Sequence, residues 1–145
     1  MITRRRVVVS LILATCFALF IWSFSLVRPT NTPVVFKNSA VKAVSPTVGA
    51  LVLRESSVAI TLAPGYNLAS QNIDGLSISA DGAATGIPTD EIQITPAQNQ
   101  YSFLPTGGSV LSELPVGRVC AIAEILSTNN PSGAPQSFSW CFQTQ

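Results

Sequence analysis

Two runs near the carboxy terminus decide the fold: RVCAIAEIL, residues 118–126, and QSFSWCFQ, residues 136–143. Between them lies STNNPSGAP, rich in residues that favour turns. Folded as an antiparallel hairpin with Cys120 opposite Cys141, Val119 faces Phe142, Ala121 faces Trp140 and Ala123 faces Phe138. Each aromatic ring then meets a smaller partner, as a densely packed layer requires. The other face pairs Ile122 with Ser139 and Glu124 with Ser137, which suits a partly solvated surface. Side chains alternate faces along a strand, so a one-residue slip would destroy both the packing match and the cysteine match.

Working back from that hairpin, short apolar runs alternate with turn signals at intervals of roughly ten residues, the rhythm of a sandwich or barrel. Val58, Ile60 and Leu62 alternate with Ala59, Thr61 and Ala63 and stop at Pro64-Gly65. Leu76 and Ile78 alternate with serines up to Asp81-Gly82, and Ile92 and Ile94 alternate with polar residues up to Pro96. Tyr101 and Phe103 precede Pro105. No window after residue 44 carries a helical stripe. The expected fold class is all-β, over residues 44–145.

The amino-terminal third reads differently. Arg4, Arg5 and Arg6 precede VVVSLILATCFALFIWSFSLV, residues 7–27, which has no charge. A helix of that length spans about 30 Å, the thickness of a bilayer core. The arginines hold its start in the cytoplasm. Residues 1–6 are therefore read as a cytoplasmic basic stub, 7–27 as a transmembrane anchor in the lipid bilayer, and 28–43 as a linker, within which a first strand can begin near Ala40. The carboxy-terminal domain is expected outside the cytoplasmic membrane. A cleaved signal peptide is the competing reading; its apolar core is usually shorter, and SFSLVRPT offers no Ala-x-Ala site. LATC, residues 13–16, loosely matches a lipidation motif, but Thr15 fits it poorly and an apolar run follows Cys16.

That compartment bears on the cysteines. Opposed Cα atoms in antiparallel strands lie about 4.5–5.5 Å apart, within disulfide range. An oxidising exterior would join Cys120 to Cys141 and leave Cys16 unpaired.

Composition removes most chemistry. The chain of 145 residues has no histidine, and 10% of it is charged. Residues 1–44 carry six basic residues and no acid; residues 45–145 carry two basic and seven acidic residues. A mildly acidic domain is a poor partner for nucleic acid, whose affinity rests on Lys and Arg at phosphates. Nucleophilic catalysis needs an activated Ser, Cys or Thr beside a base. With no histidine, and with Lys37 and Lys42 in the linker, no catalytic residue is expected. Asp74, Asp81, Asp90 and Glu91 lack the spacing of a calcium loop and suit turns. Copper carriers of sandwich shape use histidines or clustered methionines, and the sole methionine here is Met1. No cofactor or metal site is therefore expected. Tyr66 and Tyr101 alone would form a weak platform for a polysaccharide.

SPTVGALVLRESSVAITLA, residues 45–63, resembles the opening of a bacterial Ig-like domain of the surface-layer or envelope type. The close of the chain is similar to that family too: YSFLP, then LPVG, an alternating strand and FSWCF. Ser45, Pro46, Gly49, Tyr101, Phe103, Pro105, Pro115, Gly117, Trp140 and Phe142 match its pattern. Val116 separates Pro115 from Gly117, where the family often has them adjacent, and the cysteine pair is not general in it. Residues 75–105 also resemble single-pass membrane proteins of high-GC Gram-positive bacteria. The resemblance implies an Ig-like β-sandwich behind one amino-terminal helix, and its motifs are turns and core positions. Two functions remain: a tethered module that contacts an envelope protein, or a module that binds a wall polymer or small solute.

Overall fold

The computed structural model describes residues 15–16, 36–69 and 75–145. Most of the expected anchor, the arginine cluster, residues 28–35 and Asp74 lie outside the described residues. Thr15 and Cys16 are helical, and Cys16 carries no disulfide. Among the described residues no helix is long and apolar enough to cross a membrane. Met1–Val34 and Val35–Gln145 form separate compact units, and the second is described below.

That unit has ten strands: β1 Val41–Ser45, β2 Leu51–Val52, β3 Val58–Leu62, β4 Tyr66–Leu68, β5 Leu76–Ala80, β6 Ala83–Ile87, β7 Ile92–Thr95, β8 Gln100–Phe103, β9 Gly117–Ser127 and β10 Gln136–Thr144. One sheet has the order β1-β3-β8-β7; the other runs β2-β10-β9-β5-β6, with β4 also on β9. The two sheets face each other across one apolar core, a β-sandwich.

The long hairpin is the spine of the larger sheet. Cys141 lies opposite Cys120, Trp140 opposite Ala121 and Phe142 opposite Val119, as the two runs predict. Period-two alternation turns Val119, Ala121, Ala123 and Ile125 inward, together with Trp140, Phe142 and Thr144, and all are buried. Cys120, Ile122, Ser139 and Cys141 take the outer face. Cys120 and Cys141 are disulfide-bonded across the strands, with Cα atoms 4.0 Å apart. From the smaller sheet, Val58, Ile60, Leu62 and Phe103 complete the core. Fully burying one such side chain contributes about 1.5–3 kcal/mol.

Strand β9 carries two partners in succession on its second edge: β4 against Ile125–Ser127, then β5 against Val119–Ala123. The junction is the backbone of Glu124, whose carbonyl accepts the Ala69 N–H at 2.7 Å and whose N–H donates to the Gly75 carbonyl at 2.9 Å. Only glycine fits at position 75, because a Cβ there would stand 2.1 Å from the Ala69 carbonyl oxygen. Strands β5 and β6 are joined by Asp81-Gly82, both at positive φ, as the tight type I′ hairpin requires.

Three expectations need correction. The linker placed at 28–43 does not run to Val44: β1 starts at Val41, next to the expected Ala40, and Phe36, Ala40 and Val41 already join the core. Alternation failed as a signal there because a bulge at Lys42 breaks the register of β1, and because Asn38 Oδ1 accepts the Ala40 N–H to shape a turn. Tyr101 is no surface platform; it is buried on β8. Ile94 alternates with Ile92 yet is 53% exposed. Phe138 sits at the margin of the core, half-buried, tilted against Trp140 at 5.9 Å and edge-on to Phe36 at 5.6 Å.

Candidate functional site

Among the described residues the acidic side chains do not converge on a site. Asp81 forms the β5–β6 turn, and Asp90 and Glu91 lie in a single 3-10 turn, Thr89–Glu91. Both Glu91 carboxylate oxygens accept the Val110 N–H, at 2.9 and 3.0 Å. Among the described residues no group of three or more His, Cys, Asp or Glu side chains could hold a metal ion. The bridged cysteines lie on the outer face of the larger sheet, beside Ser79 of β5. Trp140, Phe142, Val119, Ala121 and Ala123 serve the interior.

At one end of the sandwich, where Phe36 meets Phe138, lies a polar cleft of about 340 Å³. Lys42, Tyr66, Gln98 and Asn99 are among its lining residues. Asn99 takes a left-handed conformation and its side-chain amide donates to the carbonyls of Ala63 and Tyr66, so this side chain supports the fold. With Tyr101 in the core, Tyr66 is the one aromatic ring lining the cleft.

The opposite end is different in kind. It is built from the segment joining β1 to β3 through β2, residues 46–57, and from residues 104–116 between β8 and β9. Val48, Leu51, Leu53, Leu104, Val110 and Val116 all project there, each 45–64% exposed. Ile94 alone, among the exposed large apolar residues described, lies elsewhere. Single exposed aliphatic side chains need no explanation, and a group of them on two adjoining segments is a candidate contact surface.

The rim is held in shape by polar contacts beneath it. Arg54 joins the two segments: its Nε donates to the Leu114 carbonyl and its own carbonyl accepts the Leu114 N–H, both at 2.9 Å. Its guanidinium also pairs with Glu113 at 2.6 Å. Both side chains of that pair are partly exposed, so it fixes geometry more than it adds stability. Leu114 is fully buried below. Ser109 closes the turn that starts at Thr106, accepting the Thr106 N–H at 2.8 Å, and the buried Thr144 hydroxyl donates to the carbonyls of Pro115 and Gly117.

Sequence reasoning missed this rim. Leu51 and Leu53 drew no separate reading, and Val116 looked like an interruption of a turn. Leu51 and Leu53 share one face, two apart, beside an arginine; that pattern is compatible with a surface as much as with a core.

No family model and no curated protein sequence matches the chain. Among solved structures it is similar to PcoC, a methionine-rich copper resistance protein from Escherichia coli. The identity is 12% and the TM-score 0.51, over 72% of this chain and 96% of that one. It is similar also to the LD-transpeptidase LdtMt1, solved in complex with imipenem, at 20% identity and a TM-score of 0.44, covering 74% of this chain and 40% of that one. The likeness to PcoC concerns the fold, a β-sandwich of Ig-like type.

Proposed function

We propose that this chain is a non-enzymatic, membrane-tethered module of the cell envelope, with an Ig-like sandwich outside the cytoplasmic membrane that docks another envelope protein. The observation that carries the reading is the apolar rim of Val48, Leu51, Leu53, Leu104, Val110 and Val116, gathered on two segments clamped together by Arg54. The chain enters the sandwich at the other end, at Phe36. Six residues of β10 separate Phe138 from Thr144, about 20 Å of strand. The bare aliphatic surface suits a protein partner, whose interface core is apolar with a polar rim. A polysaccharide site would need stacked, exposed aromatic rings, and among the described residues Tyr66 is the one aromatic ring lining the polar cleft.

The test is affinity capture from solubilised membranes, run beside sedimentation with purified wall polymer. The wild-type chain should retain a discrete membrane protein, and Leu51→Asp with Leu53→Asp should lose it while keeping the fold. Sedimentation with wall polymer that survives those substitutions, with no protein captured, would select the polymer-binding alternative.

A further inference from the structure

The side of the sandwich carries a gap that the packing pattern does not account for. Ile92 and Ile94 share the inner face of β7, opposite Phe103 and Tyr101 of β8. Ile92 is buried, whereas the inward-facing Ile94 is 53% exposed. What lies beside it is a cavity of about 230 Å³ between the two sheets. Leu68, Ala69 and Gly75 line it from the larger sheet; Ile92, Ile94 and Tyr101 line it from the smaller one. A dry apolar cavity of about 150 Å³ is enough to hold benzene.

One polar group is buried in this wall. Tyr101 is 8% exposed, and its hydroxyl reaches Asn67 Oδ1 only at 3.5 Å, the outer limit of a hydrogen bond. Asn67, by contrast, is exposed and stands at the mouth. Among the described residues the side chains of the wall are apolar except for the Thr89 hydroxyl and the Tyr101 phenol beside the Asn67 amide, and the last two are loosely joined.

We propose that this cavity binds a single aromatic ring carrying a hydroxyl group, a phenol. The ring would occupy the apolar space between Leu68, Ile92 and Ile94. Its oxygen would accept from the Tyr101 hydroxyl, and its own O–H would donate to Asn67 Oδ1, replacing one long contact by two of ordinary length. This site is separate from the apolar rim and does not depend on its reading. The phenol can be a free solute or a tyrosine side chain of a peptide.

The test uses the full chain in lipid nanodiscs, with 4-fluorophenol and 4-fluorotoluene as probes followed by 19F NMR against empty nanodiscs. Both probes should give a saturable shift. Tyr101→Phe should weaken 4-fluorophenol several-fold and leave 4-fluorotoluene unchanged. Ile94→Trp, at an exposed position on the mouth, should abolish both, and the exposed Asn67→Ala should repeat the selective loss of 4-fluorophenol. Competition by N-acetyl-tyrosinamide identifies a peptide tyrosine as the source of the ring; 4-fluorophenol binding without competition identifies a free phenol. No saturable shift at millimolar probe, or a shift that Ile94→Trp leaves intact, would overturn the cavity as the site. Equal loss of both probes in Tyr101→Phe would overturn recognition of the hydroxyl.

Discussion

Replacing Trp140 by alanine is expected to destabilise the domain more than any serine substitution in the same strand. The side chain is 2% exposed and tilted against Phe138 at 5.9 Å. Opposite it stands Ala121, fully buried and too small to fill the space left behind. Loss of a large aromatic side chain from such a site costs about 3–5 kcal/mol. One feature of the native packing offsets part of this. The indole Nε1 is buried without a hydrogen-bond partner, and removing an unsatisfied donor recovers about 1–3 kcal/mol. The net expectation is a loss of about 2 kcal/mol, or roughly 10 °C in Tm for a unit of this size. Trp140→Phe keeps a ring against Phe138 and deletes the unpaired N–H, so it should stay within about 1 kcal/mol of wild type. Thermal melts of the purified full chain, followed by far-UV circular dichroism, give both values. If Trp140→Phe proved as damaging as Trp140→Ala, the indole N–H would have a partner and the offset would be wrong. If Ser139→Ala, on the outer face, matched Trp140→Ala, the face assignment itself would fail.

Other expectations follow from the same packing. Replacing Cys120 and Cys141 together by serine should lower stability by about 3 kcal/mol and preserve the fold; two alkylatable thiols in the untreated, exported protein would contradict the bridge. Gly75→Ala pushes a methyl group toward the Ala69 carbonyl, and should cost roughly 1–3 kcal/mol in a denaturant titration; a neutral result would show that β4 and β5 can part at the Glu124 junction. Protease added to intact spheroplasts should digest the sandwich, and full protection would contradict an outward-facing domain.

The hairpin was legible because three constraints met in one register. Ala121 opposite Trp140, Ala123 opposite Phe138 and Cys120 opposite Cys141 each required the same alignment. The start of the domain was legible only as a strand near Ala40; the entry of Phe36 was not, because it comes through an Asn38 turn and a bulge at Lys42, neither of which leaves a period in the sequence. Tyr101 was legible as a core position through the Ig-like pattern, and its burial on β8 removes the weak surface platform. The apolar rim, by contrast, was invisible. Valine and leucine in short segments signal burial by default, and exposure at residues 46–57 and 104–116 is decided by which strands come to cover them. Nothing in the local pattern reports that β2 is an edge strand with neighbours on one side only.

The central claim, that the apolar rim is where a protein partner docks, is tested most directly by photocrosslinking in living cells. A photoreactive phenylalanine analogue would be placed at Leu53 or Val116 on the rim, and at Ser139 on the outer face of the larger sheet. The account predicts one discrete adduct, in the membrane fraction, from Leu53 and Val116 and none from Ser139. Adducts from Ser139 with none from the rim would contradict it.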